Sequence, residues 1–292
     1  MHISILLWGF TGILGKLISL AEGPLVWYRL IITVTSLLIL FTATKQLKLL
    51  PAKQILKMAL VGFIIMLHWL CFYGSIKYSN VSVSLSCLAS ASIFSAFLNP
   101  LFNRNQKLKT TEILLGILGM VGIYLIFMFQ QIYAVGIILA LISAALSAVF
   151  TILNKSLVEE HSPEVVTFYE LGSGMICMTL LMPLYLYLFP KTSIIPTSND
   201  VIYLVLLGVV CTTVPFTLSL KALKNLSAFT MNLSVNLEPV YSIILAIIIF
   251  KENKELNTGF YAGVFLILLS VVLHTLTGVY KNRKAKKQII FE

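Results

Sequence analysis

Charge is what this sequence has least of. Only 11% of its 292 residues are charged, where a soluble domain is nearer a quarter. Hydrophobic residues make up 59% of the chain, and the mean hydropathy is +0.96. A water-soluble fold of this length needs polar residues to cover its surface, and here they are confined to short connections. The solvent is therefore lipid. Cysteine is scarce too. Cys71, Cys87, Cys177 and Cys211 lie inside apolar segments without CxxC or metal-ligand spacing, which argues for reduced packing residues and against a disulfide framework or a metal site.

Other absences narrow the function. There is no HExxH, no GxSxG and no paired acidic motif, so a membrane-embedded enzyme has no visible machinery, metal or cofactor. No GxxxxGK[ST] occurs, so ATP is not the energy source within this chain. No filter-like repeat suggests a channel. The formal charge of +10 does not point to nucleic acid, because the basic residues stand between apolar runs rather than on a polar face. Asn80-Val81-Ser82, Asn225-Leu226-Ser227 and Asn232-Leu233-Ser234 match the glycosylation pattern, but in or beside membrane segments they are chance matches.

What is present is a series of long apolar runs. Crossing about 30 Å of hydrocarbon takes roughly 20 apolar residues, and a helix satisfies its own backbone there. That ruler predicts ten spanning helices, at Ile3–Leu20, Leu25–Ala43, Ile55–Ile76, Val81–Leu101, Ile113–Phe129, Ile132–Leu153, Glu164–Leu188, Val201–Leu220, Leu226–Phe250 and Thr258–Tyr280. Met1 to Ala21 ends in small residues like a signal peptide. It lacks a positive n-region and nine more segments follow, so it reads as a mature first helix. Lysine and arginine bias places both termini in the cytoplasm. Fifteen basic residues then fall inside, against five outside: Lys16, Lys77, Lys191, Lys251 and Lys254. The tail from 281 to 292, with Lys281, Arg283, Lys284, Lys286 and Lys287, reads as a cytoplasmic anchor against anionic lipid. The cell's inner (plasma) membrane is the expected location.

The chain also repeats itself. Folding it near residue 131 sets Trp27-Tyr28-Arg29-Leu30 on Phe168-Tyr169-Glu170-Leu171, Lys16 on Lys155, and Ser75-Ile76-Lys77 on Ser219-Leu220-Lys221. Phe102-Asn103-Arg104-Asn105 likewise falls on Phe250-Lys251-Glu252-Asn253. The expected halves are 1–130 and 131–280. Five helices per half is an odd number, so the second half crosses the membrane in the opposite sense. Inverted repeats place a binding site near the bilayer midplane, and rocking one half against the other exposes it to either side.

These residues resemble the drug/metabolite transporter superfamily, in its EamA-like ten-helix branch. The resemblance is carried by Leu7-Trp8-Gly9-Phe10 with Gly12 and Lys16, by Tyr28-Arg29, and by Ser75 to Val83. In the ninth helix it is carried by Leu237-Glu238-Pro239-Val240, followed by Phe250-Lys251-Glu252. It implies an all-α membrane fold of two five-helix halves around a central cavity, cytoplasmic termini, and export of amino acids or other small metabolites. The chain departs from the family's Glu-Pro late in the fourth helix, having Asn99-Pro100, and has Arg104 where its second half has Glu252.

An ionisable group inside a span costs about 2.5 kcal/mol or more at the centre, so each is a functional candidate. Arg29, His68, Glu170 and Glu238 qualify. Arg29 lies near the outer face and Glu170 near the inner, some 15 Å or more apart in depth, so they are not expected to pair. Arg29 has two readings: coordinating a substrate carboxylate or gating the outer mouth, and snorkelling beside Trp27 and Tyr28. His68 and Glu238 fall near the midplane. Glu238, if it gains and loses a proton, would couple export to the proton gradient; its structural reading is a bond to backbone freed by Pro239. His68 is a proton relay or a packing histidine. Trp8 and Trp69 can stack on a substrate ring or cation, or belong to interfacial aromatic belts. Asn232 and Asn236 share a helix face, while Glu238 lies about 200° on, so the three converge only if Pro239 distorts the helix. Gly116, Gly119, Gly122, Gly259 and Gly263 allow close helix approach, within the bundle or in a homodimer. The expected activity is a secondary transporter working by alternating access; the alternatives are a channel-like facilitative permease and, last, an enzyme.

Overall fold

A computed structural model describes every residue except 45–48, 103–109, 130, 227–230, 232–233, 236, 255 and 292, and leaves side chains aside also at 44, 110–113, 127, 129, 131, 239, 271, 274–275 and 278–292. Among the described residues the chain is helical, without strands. The helices are α1 (His2–Leu17), α2 (Glu22–Thr44), α3 (Ala52–Tyr78), α4 (Val81–Leu88), α5 (Ala91–Phe102), α6 (Thr110–Phe129), α7 (Ala134–Glu160), α8 (Pro163–Leu188), α9 (Ser198–Val205), α10 (Val214–Asn225), α11 (Leu237–Phe250) and α12 (Thr258–Phe291). A π-helical stretch, Leu206–Thr213, joins α9 to α10.

Six helical stretches are long and apolar enough to cross a membrane: Glu22–Ala43, Ala52–Tyr78, Val81–Phe102, Ala134–Glu160, Pro163–Leu188 and Ser198–Asn225. Four shorter apolar helices accompany them, at His2–Leu17, Leu114–Ile126, Val240–Phe250 and Thr258–Ser270. Large apolar side chains face outward, including Leu180 at 75% exposure and Ile248 at 69%. In water such a surface would drive aggregation. In a bilayer it is the lipid contact.

Two glycine crossings draw the bundle together. A Cβ on Gly122 would lie 2.7 Å from the carbonyl oxygen of Gly263, and one on Gly263 2.6 Å from that of Gly122, so α6 and α12 touch backbone to backbone. Gly62 of α3 meets the Glu170 carbonyl of α8 in the same way. Without a hydrophobic drive between helices in lipid, such close approach supplies the packing energy. Gly119, Gly122 and Gly263 are thereby used inside the bundle.

The fourth segment, expected as one helix, breaks at Ala89–Ser90. Ser86, Ser90 and Ser92 hydroxyls donate to the carbonyls of Ser82, Cys87 and Ala89, and such local bonds compete with the helical ladder. The sixth segment runs to Glu160, beyond the expected Leu153, because Leu157 and Val158 remain buried past the polar Asn154-Lys155 pair. The eighth widens into its π turn just before Pro215, which cannot donate into the ladder. Thr212 Oγ1 and Thr213 Oγ1 donate instead to the carbonyls of Leu207 (2.6 Å) and Gly208 (3.0 Å). The basic tail continues α12 as helix to Phe291.

Candidate functional site

A cavity of about 90 Å³ lies between the helices, more than a single water needs. Its wall draws on α1 (Trp8, Thr11), α2 (Arg29), α3 (His68, Trp69, Phe72), the α4–α5 break (Leu88, Ala89, Ala91), α7 (Ser147, Phe150, Thr151, Asn154), α10 (Phe216, Ser219) and α11 (Glu238). Of the eight residues singled out in the sequence, Trp8, Arg29, His68, Trp69 and Glu238 meet here.

Arg29 does not snorkel. It is 3% exposed, with Nε donating to Thr212 Oγ1 at 2.9 Å and Nη1 donating to the Tyr73 hydroxyl at 2.7 Å. The guanidinium carbon lies 3.7 Å from the Trp69 ring centroid. Both hydrogen-bond partners are neutral. Among the described residues no carboxylate comes within ion-pair distance of it. A desolvated cation is costly without an opposite charge, and among the described residues the carboxylate whose charge acts on Arg29 is Glu238, in the wall of the same cavity.

Glu238 is 6% exposed and lines the same cavity, and among the described residues it makes no hydrogen bond or ion pair. Its helix is fixed against α1 one turn later, where Ser242 Oγ donates to the Gly9 carbonyl at 2.7 Å. Pro239 falls in the first turn of α11, where a missing N–H is tolerated. Asn232 and Asn236, with any distortion of the chain between them, lie outside the described residues.

His68, in the cavity wall, is bonded to α7. Its Nδ1 lies 2.9 Å from the Ser143 carbonyl and 2.8 Å from Ser143 Oγ, and that hydroxyl also donates to the His68 carbonyl. Phe72 stacks on the ring and Phe150 meets it edge-on, so the imidazole joins α3 to α7. Glu170 stands behind the cavity wall. It is fully buried, takes one hydrogen bond from Asn154 Nδ2 at 3.3 Å, and leaves Oε1 unpaired, as Asn154 leaves Oδ1. As depth predicted, Arg29 does not reach it.

Tyr73, Thr212, Phe150 and Asn154 were not singled out in the sequence. For Thr212 a signal existed, the Thr212-Thr213 pair just ahead of Pro215. Glu252, in sequence a loop difference between the halves, is fully buried and engaged at the end of the bundle. Among the described residues no group of three or more His, Cys, Asp or Glu is placed to hold a metal ion.

Comparison with known proteins gives concordant matches. A family model described as the EamA-like transporter family matches residues 1–128 and again 134–276. An uncharacterized transporter of Archaeoglobus fulgidus is 26% identical over 223 residues, 76% of each chain. The uncharacterized transporter YxxF of Bacillus subtilis is 25% identical over 283 residues, covering 92% of this chain and 88% of that one. A solved crystal structure superposes with a TM-score of 0.67 at 15% identity, over 94% of this chain and 96% of the other, a likeness of fold alone.

Proposed function

We propose a mode of action from the premise that the chain belongs to the EamA-like transporter family of the drug/metabolite transporter superfamily and is a multi-pass membrane transporter. In this reading it exports a small zwitterionic metabolite such as an amino acid across the inner (plasma) membrane. Ten spans form two inverted five-helix halves with both termini in the cytoplasm. The double match of one family model to 1–128 and 134–276, and the six long and four shorter apolar helices, support that arrangement.

One observation carries the substrate reading: among the described residues, an arginine with no carboxylate in ion-pair reach and a carboxylate with no hydrogen bond line one cavity, opposite in charge and not in contact. Arg29 offers a planar donor fork to a carboxylate, and Glu238 faces an ammonium group. Trp8, Phe72, Phe150 and Phe216 give the rest of the ligand an apolar, aromatic wall. Tyr73, Thr212 and Trp69 hold the guanidinium in place, so the π turn that presents Thr212 serves the site. Alternating access then follows from the halves rocking about this cavity, with Glu238 as the proton-coupling group.

The test is uptake into proteoliposomes under an imposed pH gradient, wild type against Glu238→Gln. Gradient-driven uptake that the substitution abolishes supports coupling at Glu238. Uptake indifferent to both gradient and substitution leaves the second reading, a facilitative permease, which the neutral cradle of Arg29 also accommodates.

A further inference from the structure

The end of the bundle where α1 finishes is fastened by a network that the substrate site does not need. Glu252, in the 3-10 turn Glu252–Lys254 after α11, is fully buried. Its Oε1 accepts from Lys16 Nζ at 2.8 Å and from the Val81 backbone N–H at 3.1 Å. Its Oε2 accepts from the Ser82 N–H at 2.9 Å and the Ser82 hydroxyl at 2.6 Å. A carboxylate from the second repeat therefore sits on the first turn of α4, in the first repeat, where the helix dipole and free N–H groups favour a negative charge. Asn80 caps the same turn through Val83 N–H.

Three more bonds at this end join the repeats. The Ser19 N–H and hydroxyl both donate to the Asp200 carboxylate, each at 2.6 Å, and the Tyr185 hydroxyl donates to Glu22 Oε1 at 2.9 Å. The opposite end differs. There the described ion pairs Lys221–Glu164 and Lys155–Glu159 join residues of the second half to each other. Lys155, the repeat counterpart of Lys16, donates to the carbonyls of Leu223 and Lys224. The sequence position matching Glu252 in the first repeat is Arg104, so the repeat supplies no second carboxylate of this kind. The cavity lining runs the same way, reaching Asn154 and Leu223 near the ends of α7 and α10.

We propose that Glu252, seated on the N-terminus of α4 and paired with Lys16, is the bolt of a gate that holds the Lys16 face of the transporter shut in this conformer. The inference rests on the two-half transport reading above. Opening that face requires the α11–α12 turn to withdraw from α4, and Lys16, about one-third exposed on its side chain, gives water a route to the donors that Glu252 vacates. The asymmetry between Glu252 and Arg104 biases the resting protein toward closure at this face, because among the described residues the carboxylates that tie one repeat to the other, Glu252, Asp200 and Glu22, lie at this end.

Accessibility tests this without any substrate. Cys71, Cys87, Cys177 and Cys211 are replaced by alanine and Thr11→Cys is introduced, since Thr11 lines the cavity between Trp8 and Lys16. The full chain in proteoliposomes is treated with a membrane-impermeant maleimide from each face, and Lys251→Cys, on the exposed turn beside Glu252, reports in a parallel sample which face is the bolted one. With Glu252 intact, Thr11→Cys reacts slowly from the Lys16 face. Glu252→Gln, or Lys16→Met with Glu252 left on α4, raises that rate about tenfold or more, as a shift of the closed population demands. An unchanged rate in both variants, or fast labelling from that face in the parent, overturns the proposal. Failure of both variants to fold assigns Glu252 to structure alone and also overturns it. Transport assays that find no substrate leave the labelling result standing, so the two readings fail separately.

Discussion

Replacing Arg29 by methionine separates stability from function in a way the structure makes quantitative. The substitution removes two hydrogen bonds, to Thr212 and Tyr73, each contributing about 2 kcal/mol net because the donor is charged. It also removes the stack on Trp69, worth about 2 kcal/mol when desolvated. Against that loss of about 6 kcal/mol stands the relief of a buried cation with, among the described residues, no carboxylate in ion-pair reach, a penalty of several kcal/mol. Methionine fills the space along the Trp69 ring with a flexible thioether. The net change in unfolding free energy is therefore within about 2 kcal/mol of zero, while transport is lost. Thermal unfolding of purified protein in detergent and proteoliposome uptake, measured on the same preparation, check both halves. Loss of more than about 4 kcal/mol would show that the guanidinium is a structural keystone with a counter-ion outside the described residues. Retained transport would show that it never meets substrate.

Glu170→Gln keeps a hydrogen-bonding group toward Asn154 and removes an ionisable group from a fully buried site, so thermal stability is expected to hold or rise by about 1 kcal/mol; a fall of several degrees in Tm would refute that. Gly122→Leu drives a side chain into the Gly263 carbonyl and Ile267 and is expected to cost about 1–3 kcal/mol or more by overpacking, read as a lowered Tm, whereas an unchanged Tm would mean that α6 and α12 do not cross there. Ser143→Ala removes the hydroxyl bonds to His68 and leaves Nδ1 on the backbone carbonyl of residue 143; it should cost about 1 kcal/mol with transport largely kept, so abolished transport would return His68 to the list of proton carriers.

Lipid imposes a length and an apolar composition on each span; six of the expected spans fall on described helices long and apolar enough to cross a membrane, and the other four fall on shorter apolar helices. Asn154-Lys155 stopped the reading of α7 early, although the helix continues. The break at Ala89–Ser90 was not legible, since serine hydroxyls bonding back to their own helix leave no trace in hydropathy. In the site, cost in lipid pointed to Arg29 and Glu238, and both line the cavity. Depth along a helix cannot give azimuth, however. Arg29 was read near an interface where snorkelling was available, yet Tyr73 and Thr212 hold it inward, and neither is ionised or conspicuous in sequence. Glu170 drew the same attention as Glu238 and lies behind the wall, a distinction set by the α3–α8 crossing at Gly62. Glu252 sits in a loop by composition, and only the fold shows that it reaches α4 in the other half.

The central claim is that this cavity reads a positive and a negative group on one small molecule. Its most direct measurement is competition for uptake of labelled amino acid pools into proteoliposomes by unlabelled amino acids, by the corresponding amines lacking the carboxylate, and by the corresponding acids lacking the ammonium group. The account predicts that the amino acids compete and that both truncated analogues are weaker by about tenfold or more, since each leaves one buried charge, Arg29 or Glu238, without its partner. Equal competition by an amine or an acid, or no uptake from any amino acid pool, would contradict it.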